Sequence, residues 1–273
     1  MNKALTYLCA LGAAVSGLFT SCSYQSIVTP EKTTPSYVAL EVNSGRVLYS
    51  SNSNLKRPIG MLTNLATAVV IMDWVKAYKV DMNRLITVPA EAVVWQRTNL
   101  LRLRPGDYIS VRDALYSALM WDDSACATTL AYACGGSLSS RNPEGAFLTQ
   151  MNNLARRLGM TSTVFKGTNG AVITQSSARD MALLGMYAIN DTDLLAITAQ
   201  TGCIVTIHTP AGKRSQTIRN NNKLLSGSGH VDGLKVGQSR SAGSCLMVTA
   251  RRASVKRVNP ATGKEATFAQ RLL

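Results

Sequence analysis

Histidine is almost absent from this 273-residue chain, which holds only His208 and His230. Six cysteines are present, and none stands at a Cys/His spacing that would hold a metal. No metal and no cofactor is therefore expected. Acidic residues are scarce too: 15 Asp plus Glu face 29 Lys plus Arg, a formal net charge of +14. Such an excess favours anionic partners. Neither zinc-finger spacing nor an aromatic–basic recognition motif occurs, so nucleic acid is not the expected one. No apolar run reaches the roughly 20 residues of a spanning helix. The longest, Ala4 to Phe19, is interrupted by Thr6, Tyr7, Cys9 and Ser16. What remains is an ordinary globular composition, 46% hydrophobic and 16% charged.

The first residues read as a processing segment. Lys3 supplies a positive flank, the apolar run follows, and Leu18-Phe19-Thr20-Ser21-Cys22 ends it. Small residues before a cysteine resemble a bacterial lipoprotein cleavage site. Residues 1–21 are then a signal peptide and Cys22 is lipidated, anchoring the chain to a membrane. Ordinary signal cleavage nearby, with Cys22 incidental, is the alternative. Residues 22–36 are rich in Ser, Thr and Pro and read as a tether. Either way the chain is expected to be exported to the cell envelope, as a periplasmic lipoprotein of either membrane. Anionic wall polymers or lipid headgroups are the expected partners of its charge.

Four cysteines remain beyond the processing site: Cys126, Cys134, Cys203 and Cys245. They allow three pairings, and the sequence does not choose. Cys126 and Cys134 lie in a helical stretch, about 12 Å apart along its axis, too far to bond each other.

Hydrophobic periodicity places a hairpin first, Tyr37 to Glu41 and Arg46 to Tyr49 around Asn43-Ser44-Gly45. Met61, Leu65, Ala68, Val69, Met72 and Val75 recur at helical spacing. Further helices are expected over 111–120, 125–132, 147–158 and 176–189, with Ser177 a cap. Strands are expected over 203–208, 215–219, 233–236 and 245–250. Strands open the chain, helices fill its middle and strands close it. This predicts an α+β domain over 37–273: an antiparallel sheet built from both chain ends and flanked by helices. A helical subdomain is inserted at about 76–165.

Several strings occur in a telling order. Pro58-Ile59-Gly60-Met61-Leu62-Thr63-Asn64-Leu65-Ala66-Thr67-Ala68 is followed by Leu103-Arg104-Pro105-Gly106-Asp107. Then come Met151-Asn152-Asn153-Leu154, Ser177-Ala178-Arg179-Asp180, Asn221-Asn222-Lys223-Leu224-Leu225 and Asp232-Gly233-Leu234-Lys235-Val236-Gly237. In this order they resemble the serine-type D-alanyl-D-alanine carboxypeptidases, a penicillin-binding family. The resemblance implies the β-lactamase/DD-transpeptidase-like fold and peptidoglycan as the associated material. Its last stretch fits less well. Arg251 to Gln270 is basic and polar where the family continues with an apolar strand, so a C-terminal strand is expected to be missing.

The resemblance also locates three motifs. The family's Ser-x-x-Lys supplies a nucleophilic hydroxyl and a neutral amine base one helical turn apart. Here Met61 and Asn64 stand at those positions, and neither side chain can do that chemistry. Ser53-Asn54-Leu55-Lys56 matches the spacing but lies outside the aligned site. The family's Ser-x-Asn becomes Asp122-Asp123-Ser124, and Lys-Thr-Gly becomes Lys235-Val236-Gly237. Asp122 is expected to pair with Lys235 and fill the place of a substrate carboxylate. The reading is a catalytically inactive, peptidoglycan-linked homologue. One alternative is an active carboxypeptidase with displaced residues. Another is a structural basic lipoprotein on anionic wall polymer.

Overall fold

A computed structural model describes residues 36–273, apart from 95–97, 228 and 259–264. The signal peptide, nearly all of the tether and Cys22 lie outside the described residues. Ser36–Leu273 is a single compact unit.

The hairpin forms where its turn residues require. Strand β1 (Tyr37–Leu40) pairs antiparallel with β2 (Val47–Ser51). Gly45 takes the left-handed φ of +67° that the turn needs. The Glu41 carboxylate accepts from the backbone N–H groups of Asn43 and Ser44. Strand β3 (Arg57–Pro58) and a 3₁₀ turn at Gly60–Leu62 then lead into helix α1, Thr63–Tyr78. This helix is buried continuously from Thr63 to Met72. It is apolar or small on every side, as a helix at the centre of a domain must be.

Around α1 pack β4 (Leu85–Thr87), α2 (Glu91–Val94), β5 (Tyr108–Ser110) and α3 (Val111–Met120). Helices α4 (Ser124–Leu138) and α5 (Pro143–Arg157) follow, then β6 (Gln175–Ser176), α6 (Ala178–Ala188) and α7 (Thr192–Thr198). Ser110, Asp123, Asn142 and Ser177 each cap a helix with a side-chain oxygen. Strands β7 (Gly202–Thr209), β8 (Gly212–Arg219), β9 (Val231–Ser239), β10 (Gly243–Val258) and β11 (Glu265–Leu272) complete the unit. All four cysteines of this unit are free thiols.

Two expectations are corrected. Residues Glu265–Leu272 do form a strand, β11, hydrogen-bonded along β10, so the polar stretch carries the strand that composition argued against. Strands β7 and β8 do not join the terminal sheet. They extend β4 and β5 into a separate four-stranded sheet, ordered β4-β5-β7-β8. Its inner face sets Ile109 beside Ile207 and buries Val205 and Ile218.

The terminal sheet is built from both ends of the described chain. Strands β11, β10 and β9 are neighbours in that order. Leu40 and Leu273 exchange backbone hydrogen bonds at 2.9 and 3.0 Å, and Val42 N–H donates to the Arg271 carbonyl at 2.9 Å. These bonds lay the hairpin against β11. Near the start of β9, Asp232 is buried and accepts from Thr249 Oγ1 at 2.7 Å, Arg251 Nε at 2.7 Å and Arg271 Nη1 at 2.9 Å. One carboxylate thus ties three strands together.

Candidate functional site

Strand β9, the 3₁₀ turn before α1, and the α3–α4 junction converge on one place. Met61 lies in the turn and is buried. Two glycines permit its packing. A Cβ on Gly237 of β9 would fall 2.6 Å from the Leu62 nitrogen. A Cβ on Gly170 would fall 2.6 Å from the Met61 nitrogen and Cα. Backbone closes on Met61 from two sides, and only residues without a side chain allow it.

One turn along, Asn64 is wholly buried. Its Nδ2 donates to the Ala118 carbonyl on α3 at 3.2 Å. Its Oδ1 is buried without a protein donor among the described residues. Thr63 Oγ1 is turned back to the Gly60 carbonyl at 2.8 Å. Thr67 Oγ1 donates to the Thr168 carbonyl at 2.5 Å. Both hydroxyls are committed to backbone.

At the α3–α4 junction the three aligned residues do three different things. Asp122 takes a left-handed φ of +61°, and its side chain is 15% exposed. Asp123 is buried and caps α4, accepting from Cys126 N–H at 2.9 Å and Leu101 N–H at 3.0 Å. Burial pushes its carboxyl up, and those backbone donors oppose the shift. Ser124 is buried; its Oγ accepts from Thr98 Oγ1 at 2.5 Å and points to Met61 Sδ at 3.9 Å. Among the described residues no amine or imidazole bonds this hydroxyl.

Lys235 on β9 is fully buried, and its Nζ pairs with the Asp122 carboxylate. This is the pairing expected from the aligned motifs. The same Nζ donates to the Val236 carbonyl at 2.5 Å. Burial pulls the ammonium below the ordinary lysine value, and the facing Asp122 works against that pull. Asn221 Nδ2 donates to the other Asp122 oxygen at 3.2 Å.

The positions that the motifs single out therefore meet in space: Met61 against Gly237 and Ser124, Asn64 beneath them, Asp122 on Lys235. Ser53 and Lys56 do not join them. They fall on the turn before β3, with Lys56 exposed. Thr98, Gly170 and Asn221 also shape the site, and motif reading left their roles unassigned. Asn221 sits in a string already noted, but its polar, exposed position carries no periodic signal.

This arrangement meets known proteins at every level of comparison. The family model described as D-alanyl-D-alanine carboxypeptidase matches residues 24–262. The chain is 29% identical over 269 residues to the D-alanyl-D-alanine carboxypeptidase DacC of Escherichia coli (strain K12), covering 93% of this chain and 63% of the relative. It is 30% identical over 215 residues to a D-alanyl-D-alanine endopeptidase of Pseudomonas aeruginosa, covering 78% of this chain and 66% of the relative. The chain thus spans just under two thirds of the length of these curated relatives. Among solved structures, the DD-transpeptidase of Streptomyces K15 superposes with a TM-score of 0.73 at 22% identity, covering 89% of this chain and 92% of that one. The carboxypeptidase DacD of Francisella tularensis also gives 0.73, at 20% identity, covering 94% of this chain and 70% of that one. At these identities the structural matches speak for the fold, which is that of the DD-transpeptidases and carboxypeptidases.

Proposed function

The chain belongs to the D-alanyl-D-alanine carboxypeptidase family, and from that membership we propose that it is a non-hydrolysing member acting beside peptidoglycan in the bacterial envelope. One observation carries this reading: the turn and helix that present a nucleophile and a base in the family present Met61 and Asn64 here, both buried. A thioether has no proton to lose and an amide nitrogen no useful basicity, so neither starts acyl transfer. The neighbouring hydroxyls are held by other groups, and Lys235 is engaged by Asp122.

Incubation with a fluorescent penicillin tests this. The expected result is no covalent label after denaturation; stoichiometric label overturns the reading. The alternative, an active serine carboxypeptidase, would need a displaced nucleophile such as Ser53 with Lys56. That turn lies outside the site.

Export as a lipoprotein through Cys22 belongs to the same proposal. No helix among the described residues is long and apolar enough to cross a membrane.

The scaffold reading, a basic lipoprotein on anionic wall polymer, draws support from β10. Its second half carries Arg251, Arg252 and Lys256. Peptidoglycan pull-down at two salt concentrations separates the readings. Retention that vanishes with salt favours charge attraction alone. Retention that survives salt but is lost in Lys235→Ala favours the remnant groove.

A further inference from the structure

We propose that the cavity between the N-terminal hairpin and helix α6 binds a single-chain anionic amphiphile of the fatty-acid class, its alkyl chain against the hairpin and its headgroup on Arg179. The lining shares no residue with the Met61 site, and occupation of the cavity does not depend on whether that site hydrolyses.

Three features carry it. The first is a cavity of about 340 Å³ whose lining is sorted by polarity. Its apolar wall is Val38, Leu40 and Val47 of the hairpin with Ala182, Leu183 and Met186 of α6, and its polar lining is Arg179 with Ser50, Ser53 and Asn54. On α6 the four lining residues recur at helical spacing, so Arg179 and Met186 stand about 10 Å apart along the axis. The Arg179 N–H donates to the Ser53 carbonyl at 2.9 Å, which sets the Ser53–Asn54 turn beside the arginine end. On the hairpin, Val38 pairs with Ser50 and Leu40 with Val47, so Leu40 and Val47 lie toward the hairpin turn and away from Ser53. Val47 is 53% exposed, an apolar side chain left open at the cavity.

The second feature is the arginine itself. Arg179 is exposed, and among the described residues no carboxylate pairs with its guanidinium. It stands in the first turn of α6, where the helix dipole disfavours a cation. An anionic headgroup supplies the missing counter-charge through charge-assisted hydrogen bonds.

The third feature selects a lipid over a peptide. A peptide entering the cavity would bury backbone N–H and C=O groups against apolar side chains that return no hydrogen bond, at a cost in free energy. An alkyl chain has no such groups, and its burial is favourable.

The experiment titrates the full chain with decanoate, kept below its micelle concentration, by isothermal calorimetry. Decyltrimethylammonium is the cationic counterpart, and trileucine with a free carboxylate is the peptide competitor. Variants are Arg179→Glu and Val47→Asp, both at exposed positions. A glutamate in the first turn suits the helix dipole, so Arg179→Glu is expected to melt no lower than the wild type.

The wild type is expected to bind decanoate at one saturable site and decyltrimethylammonium at least about tenfold more weakly. Arg179→Glu is expected to lose about tenfold or more in decanoate affinity and to prefer decyltrimethylammonium. Val47→Asp is expected to weaken decanoate binding as well. No saturable decanoate binding to the wild type overturns the proposal, as does equal decanoate affinity with and without Arg179. Trileucine displacing decanoate at equal concentration overturns the choice of a lipid. Should Arg179→Glu fail to fold, Arg179→Gln removes the charge without reversing it and carries the same loss; retained affinity there overturns the proposal equally.

Discussion

Strand β9 carries two buried charges three residues apart, and they do opposite things. Asp232 is satisfied inside one sheet, by a hydroxyl and two arginines from β10 and β11. Lys235 reaches out of the sheet to a carboxylate on the α3–α4 junction. The first holds adjacent strands in register. The second spans two parts of the fold that meet at the site. The difference separates a charge kept for architecture from one left where chemistry is expected.

Removing each in turn sharpens that contrast. Asp232→Ala is expected to have the largest effect, a loss of about 3 kcal/mol in denaturant unfolding. It leaves Arg271, only 21% exposed, without its anion, while the 70% exposed Arg251 rehydrates. Gly237→Ala is expected to follow, at about 2 kcal/mol of overpacking. Its new methyl would meet the Leu62 nitrogen, and backbone cannot step aside as a side chain can. Lys235→Met is expected to lose less than about 1.5 kcal/mol, because relief of the buried ammonium offsets the stranded Asp122, which keeps Asn221 and some water. A Lys235→Met loss as large as that of Asp232→Ala would break the comparison.

The smallest effect concerns pH. Burial lowers the folded-state titration of Lys235 below the ordinary value of 10.5. Between those two values the unfolded chain binds more protons than the folded one, so this group's contribution to stability rises with pH. The wild type is therefore expected to gain stability relative to Lys235→Met as pH climbs toward 10.5. Paired urea unfolding curves at stepped pH check it. Arginine stays charged over that range, so a pair of Asp232 variants compared in the same way should show no such drift from the arginines.

Much of this fold was legible because local chemistry and global position agree. Ser177 sits before periodic apolar positions and does cap a helix. The buried helix after Gly60 has the expected spacing. Helix α5 begins earlier than its apolar pattern, because Asn142 caps it and Pro143 occupies its first turn, a start signal that outweighs periodicity. Strand β11 was hidden by polarity. Arg271 is part of it, yet serves as an internal counter-ion rather than a solvated charge. The separate membership of β7 and β8 was hidden for another reason. It depends on β5, a three-residue strand too short to show alternation. At the site, Met61, Asn64 and the Asp122–Lys235 pair were placed by the resemblance of their motifs to those of the family. Asn221 was not, since a single exposed amide becomes a second donor only once its backbone is pinned to Met120.

The bonds between Leu40 and Leu273 impose an order in time. Residues near the two ends of the described chain are immediate neighbours. During synthesis the hairpin emerges well before β11 and has no β11 to lie against until the rest of the described unit has been made. Closing so long a loop carries an entropic penalty before any contact rewards it, and sheets closed this way form slowly. Until then the backbone edge at Leu40 and Val42 that later meets Leu273 and Arg271 is unpaired, and unpaired edges invite aggregation.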